Sequence, residues 1–227
     1  MPTYHLACLL PLVLLPPALA PPAPATPQEQ QEQQEKKPAK PYKVASRVQG
    51  EIVLQDLAGK EVRIFEQSYG DEEGKLVVLV FWSLRDPMSH MYRKRLEAFD
   101  AKFAEKVVRL YLVASSYDEI FSGHGDALEK FRKFVEKEKF ALPILVDHGN
   151  KIADDFGALT SCHAFVIDRQ RYVRYIGAID DDPKEKKKPD AVRHLLRDAT
   201  DALLTGKKIK DPISRPAGRK IKRAPKK

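Results

Sequence analysis

Residues 75–90, KLVVLVFWSLRDPMSH, carry the strongest structural signal in the sequence. The apolar run from Leu76 to Trp82 is uninterrupted, which is typical of a strand that is buried on both faces. Pro87 suits the first turn of a helix, because its missing N–H costs no hydrogen bond there. The segment therefore predicts a buried strand, a short polar turn that contains Asp86, and a helix that begins at Pro87.

The periodicity of the flanking sequence alternates between strand and helix. Two alternating arms around Ala58-Gly59 predict a β-hairpin, and an apolar stripe after Pro87 predicts a helix that ends near Glu105. Further strands are predicted in VVRLYLVAS, ALPILVD, HAFVID and YVRYIGAI, and further helices in residues 126–139, NKIADDFG and residues 190–204. This order predicts an α/β fold, a mixed sheet flanked by helices with an N-terminal β-hairpin.

Composition and charge define the ends of the predicted domain, residues 42–205. The chain of 227 residues has a formal net charge of +8. Residues 206–227 hold ten Lys or Arg against one Asp, which gives +9 and leaves −1 for the rest of the chain. This segment has no aromatic residue and no apolar periodicity, so we predict that it is a disordered basic tail.

The first 25 residues contain an apolar stretch of about a dozen residues followed by small residues, which is shorter than the roughly 20 residues of a membrane span. We predict a signal peptide over residues 1–25, cleaved after Ala25, and export to the periplasm or extracytoplasmic envelope. A leader that is not cleaved would instead anchor the chain to the membrane. Residues 26–41, TPQEQQEQQEKKPAKP, contain no large apolar residue and are predicted to form a disordered Gln/Glu/Pro linker.

The basic tail indicates electrostatic contacts with an anionic surface, which salt would weaken, or simply a solvated tail. Nucleic acid is not the expected partner, because no basic helix interleaved with aromatic residues accompanies the tail. The expected partner is an unidentified envelope protein or ligand. With the leader removed, no transmembrane span is expected, and Cys162 is the one cysteine that stays in the chain.

Four blocks of sequence carry a resemblance to a known family: LQDLAGKEV, VVLVFWSLRDP, LPILVDHGNKIADDFGA and SCHAFVIDRQRYVRYIGAIDDDP. With the order of elements between them, residues 53–182 resemble a thioredoxin-fold redoxin of the alkyl hydroperoxide reductase and thiol-specific antioxidant type, and most of all the exported bacterial redoxins. The resemblance implies a relationship to thiol-disulfide oxidoreductases and peroxiredoxins. In such proteins the attacking cysteine lies at the start of the helix after the FW strand, where the helix N-terminus stabilises a thiolate.

The resemblance places other residues at the family's reactive positions. Asp86 takes the place of the attacking cysteine, Ser89 the place of the second cysteine of a CxxC pair, and Cys162 the place of the cis-proline that lies opposite. Together with Pro87 and Ser161, these are vestigial active-site positions, and the sequence leaves open whether the Ser161–Cys162 peptide bond is cis. Because a carboxylate cannot attack a disulfide, the main hypothesis is a protein that has lost dithiol catalysis, needs no cofactor and acts as an envelope binding module.

Two alternatives stay open, so the sequence does not decide whether the protein is an enzyme. In the first, Cys162 is the catalytic group of a single-thiol oxidoreductase, activated by His90 or by the helix terminus. In the second, Asp86 and His90 share one helix face and join Cys162 and His163 in a Zn²⁺ or Cu²⁺ site. That arrangement resembles the copper-delivery branch of the thioredoxin fold.

Overall fold

The computed structural model describes residues 40–65, 76–103, 105, 108–121 and 127–225. The predicted signal peptide and residues 26–39 of the predicted linker lie outside the described residues. Among the described residues, no helix combines the length and the apolar character that a membrane crossing requires.

Seven strands and five α-helices follow one another along the described chain. The strands are β1 (Val53–Asp56), β2 (Glu61–Arg63), β3 (Leu76–Trp82), β4 (Val108–Ala114), β5 (Ile144–Val146), β6 (Ala164–Ile167) and β7 (Val173–Gly177). The helices are α1 (Pro87–Phe103), α2 (Tyr117–Ile120), α3 (Ala127–Lys137), α4 (Lys151–Phe156) and α5 (Leu195–Leu204). The predicted order of elements is confirmed, with α2 as an addition, since a helix of one turn is too short to show a periodicity.

All seven strands form one mixed sheet in the order β2-β1-β5-β4-β3-β6-β7. The strands β3, β4 and β5 are parallel, whereas β1, β2, β6 and β7 pair antiparallel with their neighbours. Because β3 lies between β4 and β6 and has helices or loops on both faces, every residue from Leu76 to Trp82 is buried. The N-terminal hairpin of β1 and β2 joins the sheet through β5.

The core has two layers, one on each face of the sheet. Alternate residues of β3 separate into them, since successive side chains of a strand point to opposite faces. Val80 and Trp82 pack in the layer that α1, α3 and α5 cover. Leu79 and Phe81 pack in the layer that the hairpin and α4 cover.

The C-terminal segment lies on the domain, so the prediction of a disordered tail is wrong over residues 206–225. The Ile176 N–H donates to the Pro212 carbonyl oxygen at 3.0 Å, and the Ser214 N–H donates to the Ile176 carbonyl oxygen at 3.0 Å. Further along, Ile221 is only 5% exposed and belongs to the second core layer. Backbone pairing and one buried side chain hold a segment whose composition shows only its charges. We call residues 212–224 the C-terminal strap.

Close approach of the strap to β7 depends on a glycine. A Cβ atom at Gly177 would lie 2.0 Å from the Ser214 Oγ and 2.8 Å from the Ser214 backbone nitrogen. The Ser214 hydroxyl lies 2.7 Å from the Tyr175 hydroxyl and accepts a hydrogen bond from the Ala178 N–H at 2.9 Å. No other residue type fits at position 177 unless the strap moves.

Replacing Gly177 by Ala is expected to push Ser214 away from β7. The free energy of unfolding should fall by about 1–3 kcal/mol, the usual effect of an added methyl group in a packed site. Urea denaturation checks the loss, and hydrogen exchange checks the protection of the Ser214 amide. An unchanged midpoint with an unchanged Ser214 amide would contradict this packing.

Candidate functional site

Two buried carboxylates hold the turn between β3 and α1. Asp86, only 5% exposed, accepts a hydrogen bond from the Met88 N–H at 3.0 Å and so caps the first turn of α1. Glu119 of α2 accepts hydrogen bonds from the Ser83 hydroxyl at 2.5 Å and from the Leu84 N–H at 2.7 Å. Burial raises the pKa of Glu119, although these hydrogen bonds oppose that shift. The turn is therefore fixed by Asp86 at its end and by Glu119, which reaches it from α2.

The second oxygen of Asp86 connects the turn to two other segments. Its Oδ2 accepts hydrogen bonds from the Ser161 hydroxyl and, at 3.0 Å, from the Arg219 N–H. Ser161 also donates its own N–H to the Arg219 carbonyl oxygen at 2.8 Å. With Met88, Ser161 and Arg219 as donors, both oxygens of the Asp86 carboxylate are occupied.

Cys162 lies deep behind this carboxylate. Its side chain is 1% exposed, and its Sγ lies 3.6 Å from the Ser89 Oγ. Burial raises the pKa of the Cys162 thiol to about 12, and the nearby Asp86 carboxylate adds to the shift, while hydrogen bonds from Ser89 and Ser161 oppose it. A thiol with such a pKa is neutral near pH 7 and is a poor nucleophile.

The backbone conformation at Cys162 decides between a cis and a trans Ser161–Cys162 peptide bond. There is no cis peptide bond among the described residues, so the Ser161–Cys162 bond is trans. Cys162 instead has a φ of +61°, in the left-handed region that few residues other than glycine adopt. Its N–H donates to the Phe81 carbonyl oxygen at 2.7 Å, which ties the loop to the end of β3.

The structure brings the predicted vestigial positions together. Asp86, Pro87 and Ser89 lie in the first turn of α1 or directly before it, and the contacts described above place Ser161 and Cys162 against them. Ser89 is fully buried. Its Oγ accepts a hydrogen bond from the Ser83 N–H at 3.2 Å, so this hydroxyl closes the turn.

His90 faces away from this cluster. Its Nε2 lies 2.7 Å from the Leu84 carbonyl oxygen, and its ring packs edge-on against the rings of Trp82 and Phe134, with centroids 5.2 and 5.3 Å away. His90 is thus a packing residue of the first core layer and offers no base to the Cys162 thiol.

His163 lies on the opposite face of the sheet from Cys162. Its ring stacks on Phe165 at 4.5 Å between centroids, and its Nδ1 accepts the Leu159 N–H at 3.4 Å. Burial lowers the pKa of His163 to about 4. The structure therefore does not bring Asp86, His90, Cys162 and His163 together as ligands, and the described part of the chain contains no group of three or more His, Cys, Asp or Glu that could hold a metal.

The strap runs across the carboxyl ends of the parallel strands β3, β4 and β5. After β4, the Tyr117 N–H donates to the Lys222 carbonyl oxygen at 2.9 Å. After β5, the Asn150 Oδ1 accepts the Ala224 N–H at 2.6 Å. Next to Asp86, the Ile221 N–H donates to the Leu159 carbonyl oxygen at 3.0 Å.

Little space remains beneath the strap. A space of about 10 Å³ lies between the turn after β3, Ser115, Ser116, Ser161 and residues 219–221 of the strap. This volume suits about one water molecule and no larger ligand. The strap thus fills the position at which a ligand would reach Asp86.

A second buried network joins α1 to the loop after β7, and sequence reasoning missed it. The Tyr92 hydroxyl donates to the Asp180 Oδ1 at 2.9 Å, and Arg95 pairs with the Asp180 Oδ2 at 2.5 Å. Burial, reinforced by the Asp180 charge, raises the pKa of Tyr92. Sequence reasoning also missed Glu119 and the strap. The signals available for the strap were a glycine and an isoleucine within the basic tail.

The sheet order and the placement of the helices define a thioredoxin-like α/β domain. The model of the AhpC/TSA family matches residues 43–176, which is more than half of the chain. The chain therefore belongs to the AhpC/TSA family, and it is a redoxin related to thiol-disulfide oxidoreductases and peroxiredoxins. No match was found among curated proteins.

Two solved structures give the same fold, and a third has a weaker similarity. The hypothetical protein SMc02350 from Sinorhizobium meliloti 1021 is 24% identical, with a TM-score of 0.67 over 81% of this chain and 96% of that chain. An uncharacterized conserved protein from Geobacillus kaustophilus is 21% identical, with a TM-score of 0.68 over 82% of this chain and 95% of that chain. StoA from Bacillus subtilis is 15% identical, with a TM-score of 0.47 over 59% of this chain and 90% of that chain.

Cys162 is expected to resist alkylation in the folded protein at every pH below about 10, because the thiol is buried and its pKa is raised to about 12. In a Cys8→Ser background, iodoacetamide should label the native chain at pH 8 roughly 100-fold more slowly than the urea-unfolded chain. Fast native labelling below pH 7 would contradict this assignment.

The burial of His163 is expected to make the protein sensitive to acid. Because its pKa is lowered to about 4 by burial, the unfolded state binds more protons below pH 6.5, so stability is lost as the pH falls from 6.5 toward 4. His163→Phe should reduce the loss between pH 7 and 4.5 by about 2 kcal/mol, measured by urea unfolding at both pH values. The variant His148→Gln, which replaces an exposed histidine, serves as the control for the loss of an imidazole.

Proposed function

We propose that this chain is a redoxin that has lost dithiol catalysis and acts as a binding module in the cell envelope. The observation that carries the proposal is the state of Asp86, which stands where the family resemblance expects the attacking cysteine. Both of its carboxylate oxygens accept hydrogen bonds from neighbouring segments. Its role is to join those segments, and it has no access to a substrate sulfur or oxygen.

Dithiol chemistry also needs two sulfur atoms within reach of each other. Ser89 holds the place of the second cysteine and contributes a buried hydroxyl to the turn. Cys162 is the one cysteine in residues 26–227. A disulfide cycle within one molecule therefore has no partner sulfur after loss of the leader.

The single-thiol alternative requires an accessible thiolate. Burial raises the pKa of the Cys162 thiol to about 12, His90 hydrogen-bonds elsewhere, and the thiol is 1% exposed behind Asp86 and Ser161. The metal alternative requires convergent ligands, and Cys162 and His163 lie on opposite faces of the sheet. These observations favour binding over either chemistry.

Export rests on the sequence of residues 1–25, and the envelope is the proposed location on that ground. The proposed partner is an envelope protein or ligand, with anionic surfaces as a second contact. The side chains of Arg215, Arg219 and Lys220 are exposed along the strap, so the structure presents cations at fixed positions. Such contacts weaken as the salt concentration rises.

Turnover of the purified chain is expected to stay at background in two assays, insulin disulfide reduction with dithiothreitol and reduction of hydrogen peroxide with a thiol donor. The physical reason is the absence of an accessible thiolate. The matched control is the Cys162→Ser variant, which should give the same rates as the wild type. Turnover that exceeds background and disappears in Cys162→Ser would instead establish a single-thiol enzyme.

A further inference from the structure

We infer that the C-terminal strap is an autoinhibitory segment that occupies, as an intramolecular ligand, the surface through which the domain binds an extended polypeptide partner. The inference rests on the proposed function and names its binding surface, its class of partner and its regulation. The partner gains this surface only by replacing the strap.

The position of the strap is the first argument. In open α/β sheets, ligands bind outside the carboxyl ends of the parallel strands. The strap crosses these ends in turn, with Arg219 at Asp86 after β3, Lys222 at Ser116 and Tyr117 after β4, and Ala224 at Asn150 after β5. It therefore covers the carboxyl ends of all three parallel strands.

The mode of contact is the second argument. The strap is extended and pairs antiparallel with the loop at residues 159–161, through an Arg219 carbonyl oxygen, an Ile221 N–H and a bridge between Thr160 and Lys220. Ile221 is its one side chain that is buried in the core. Main-chain hydrogen bonds with a pocket for one side chain are the pattern by which a strand edge recognises an extended peptide.

Gly218 sets a requirement on any segment that binds there. A Cβ atom at this position would lie 2.1 Å from the Ser161 carbonyl oxygen, and the φ of Gly218 is +106°. The fitting partner segment thus carries a glycine followed, three residues later, by a branched apolar residue, as Gly218 and Ile221 do.

The ion pairs made by the side chains of the strap are weak enough for a partner to replace it. Lys222 pairs with Asp118 at 2.9 Å and Arg223 with Asp154 at 2.8 Å, and both cationic side chains are partly exposed. Solvent-exposed ion pairs of this kind contribute little to stability. The advantage of the strap over a partner is its tethering, which corresponds to an effective concentration of order mM for short flexible connections.

The experiment measures binding of a fluorescein-labelled peptide with the sequence of residues 212–225 to the full-length chain, by fluorescence anisotropy. Gly218→Ala should displace the strap, because the added methyl group meets a backbone oxygen. Gly206→Ala is the matched control, because Gly206 also has a positive φ, +67°, but no atom lies within 4 Å of its Cβ position. We expect at least tenfold tighter binding to Gly218→Ala than to the wild type or to Gly206→Ala.

A second peptide with Ala in place of Gly218 should not bind. Equal affinity of the first peptide for the wild type, Gly218→Ala and Gly206→Ala would overturn the inference. Absence of binding to Gly218→Ala would also overturn it, provided that the Ile221 amide of this variant has lost its protection from hydrogen exchange. If the Ile221 amide of Gly218→Ala keeps its protection from hydrogen exchange, the variant Ile221→Asp is used in its place. This variant removes the buried side chain that anchors the strap in the core. Retained protection of the strap amides in this variant, with its circular dichroism unchanged, also overturns the inference.

Disulfide reduction measured on the same samples reports separately on the proposed function. Turnover by the wild type that depends on Cys162 contradicts the proposed function, whatever the peptide does. Failure of peptide binding with turnover at background contradicts the autoinhibitory strap alone.

Discussion

The Asp86 carboxylate is the interaction on which the arrangement of this end of the molecule depends. A buried carboxylate is unfavourable unless hydrogen bonds replace its lost hydration. Asp86 obtains them from the start of α1, from the loop before β6 and from the strap. One side chain therefore fixes the relative positions of three segments that are distant in the sequence.

The fold of this domain does not depend on a cysteine in the turn after β3. The central strand β3 and its neighbours derive their stability from apolar burial on both faces, which does not involve a cysteine. The turn that follows β3 needs groups that cap a helix and satisfy buried N–H donors, and Asp86, Ser89 and Glu119 meet that need with oxygen atoms. Oxygen-bearing side chains are therefore sufficient to hold the architecture of this turn.

The sequence predicted the elements whose signal is carried by side chains. The uninterrupted run of β3, the alternating hairpin arms and the stripe of α1 each reflect burial, and burial depends on apolar residues. The strap gave no such signal, because its contacts are backbone hydrogen bonds, polar and charged side chains, and a single buried isoleucine. A prediction from composition cannot detect pairing that any residue with an N–H and a carbonyl can make.

The candidate site was predictable in part. The resemblance gathered Asp86, Ser89, Ser161 and Cys162, and the structure places them in contact. The proposed ligand set treated Cys162 and His163 as neighbours, although consecutive residues at a strand end face opposite sides of the sheet. Glu119 was not found, because it reaches the turn from α2, a helix of one turn that is far from Ser83 in the sequence.

The first residues of the strap also determine how the sheet ends. Among the described strands, β7 has a neighbouring strand, β6, on one side only, and an exposed strand edge is a template for association between molecules. Ile213 and Ser214 pair with Ile176 along this side, and Pro212 and Pro216 lie on either side of the pairing residues. Proline cannot donate to a further ladder. The same segment that crosses the candidate site thus covers the β7 edge of the sheet and removes it as a template for association between molecules.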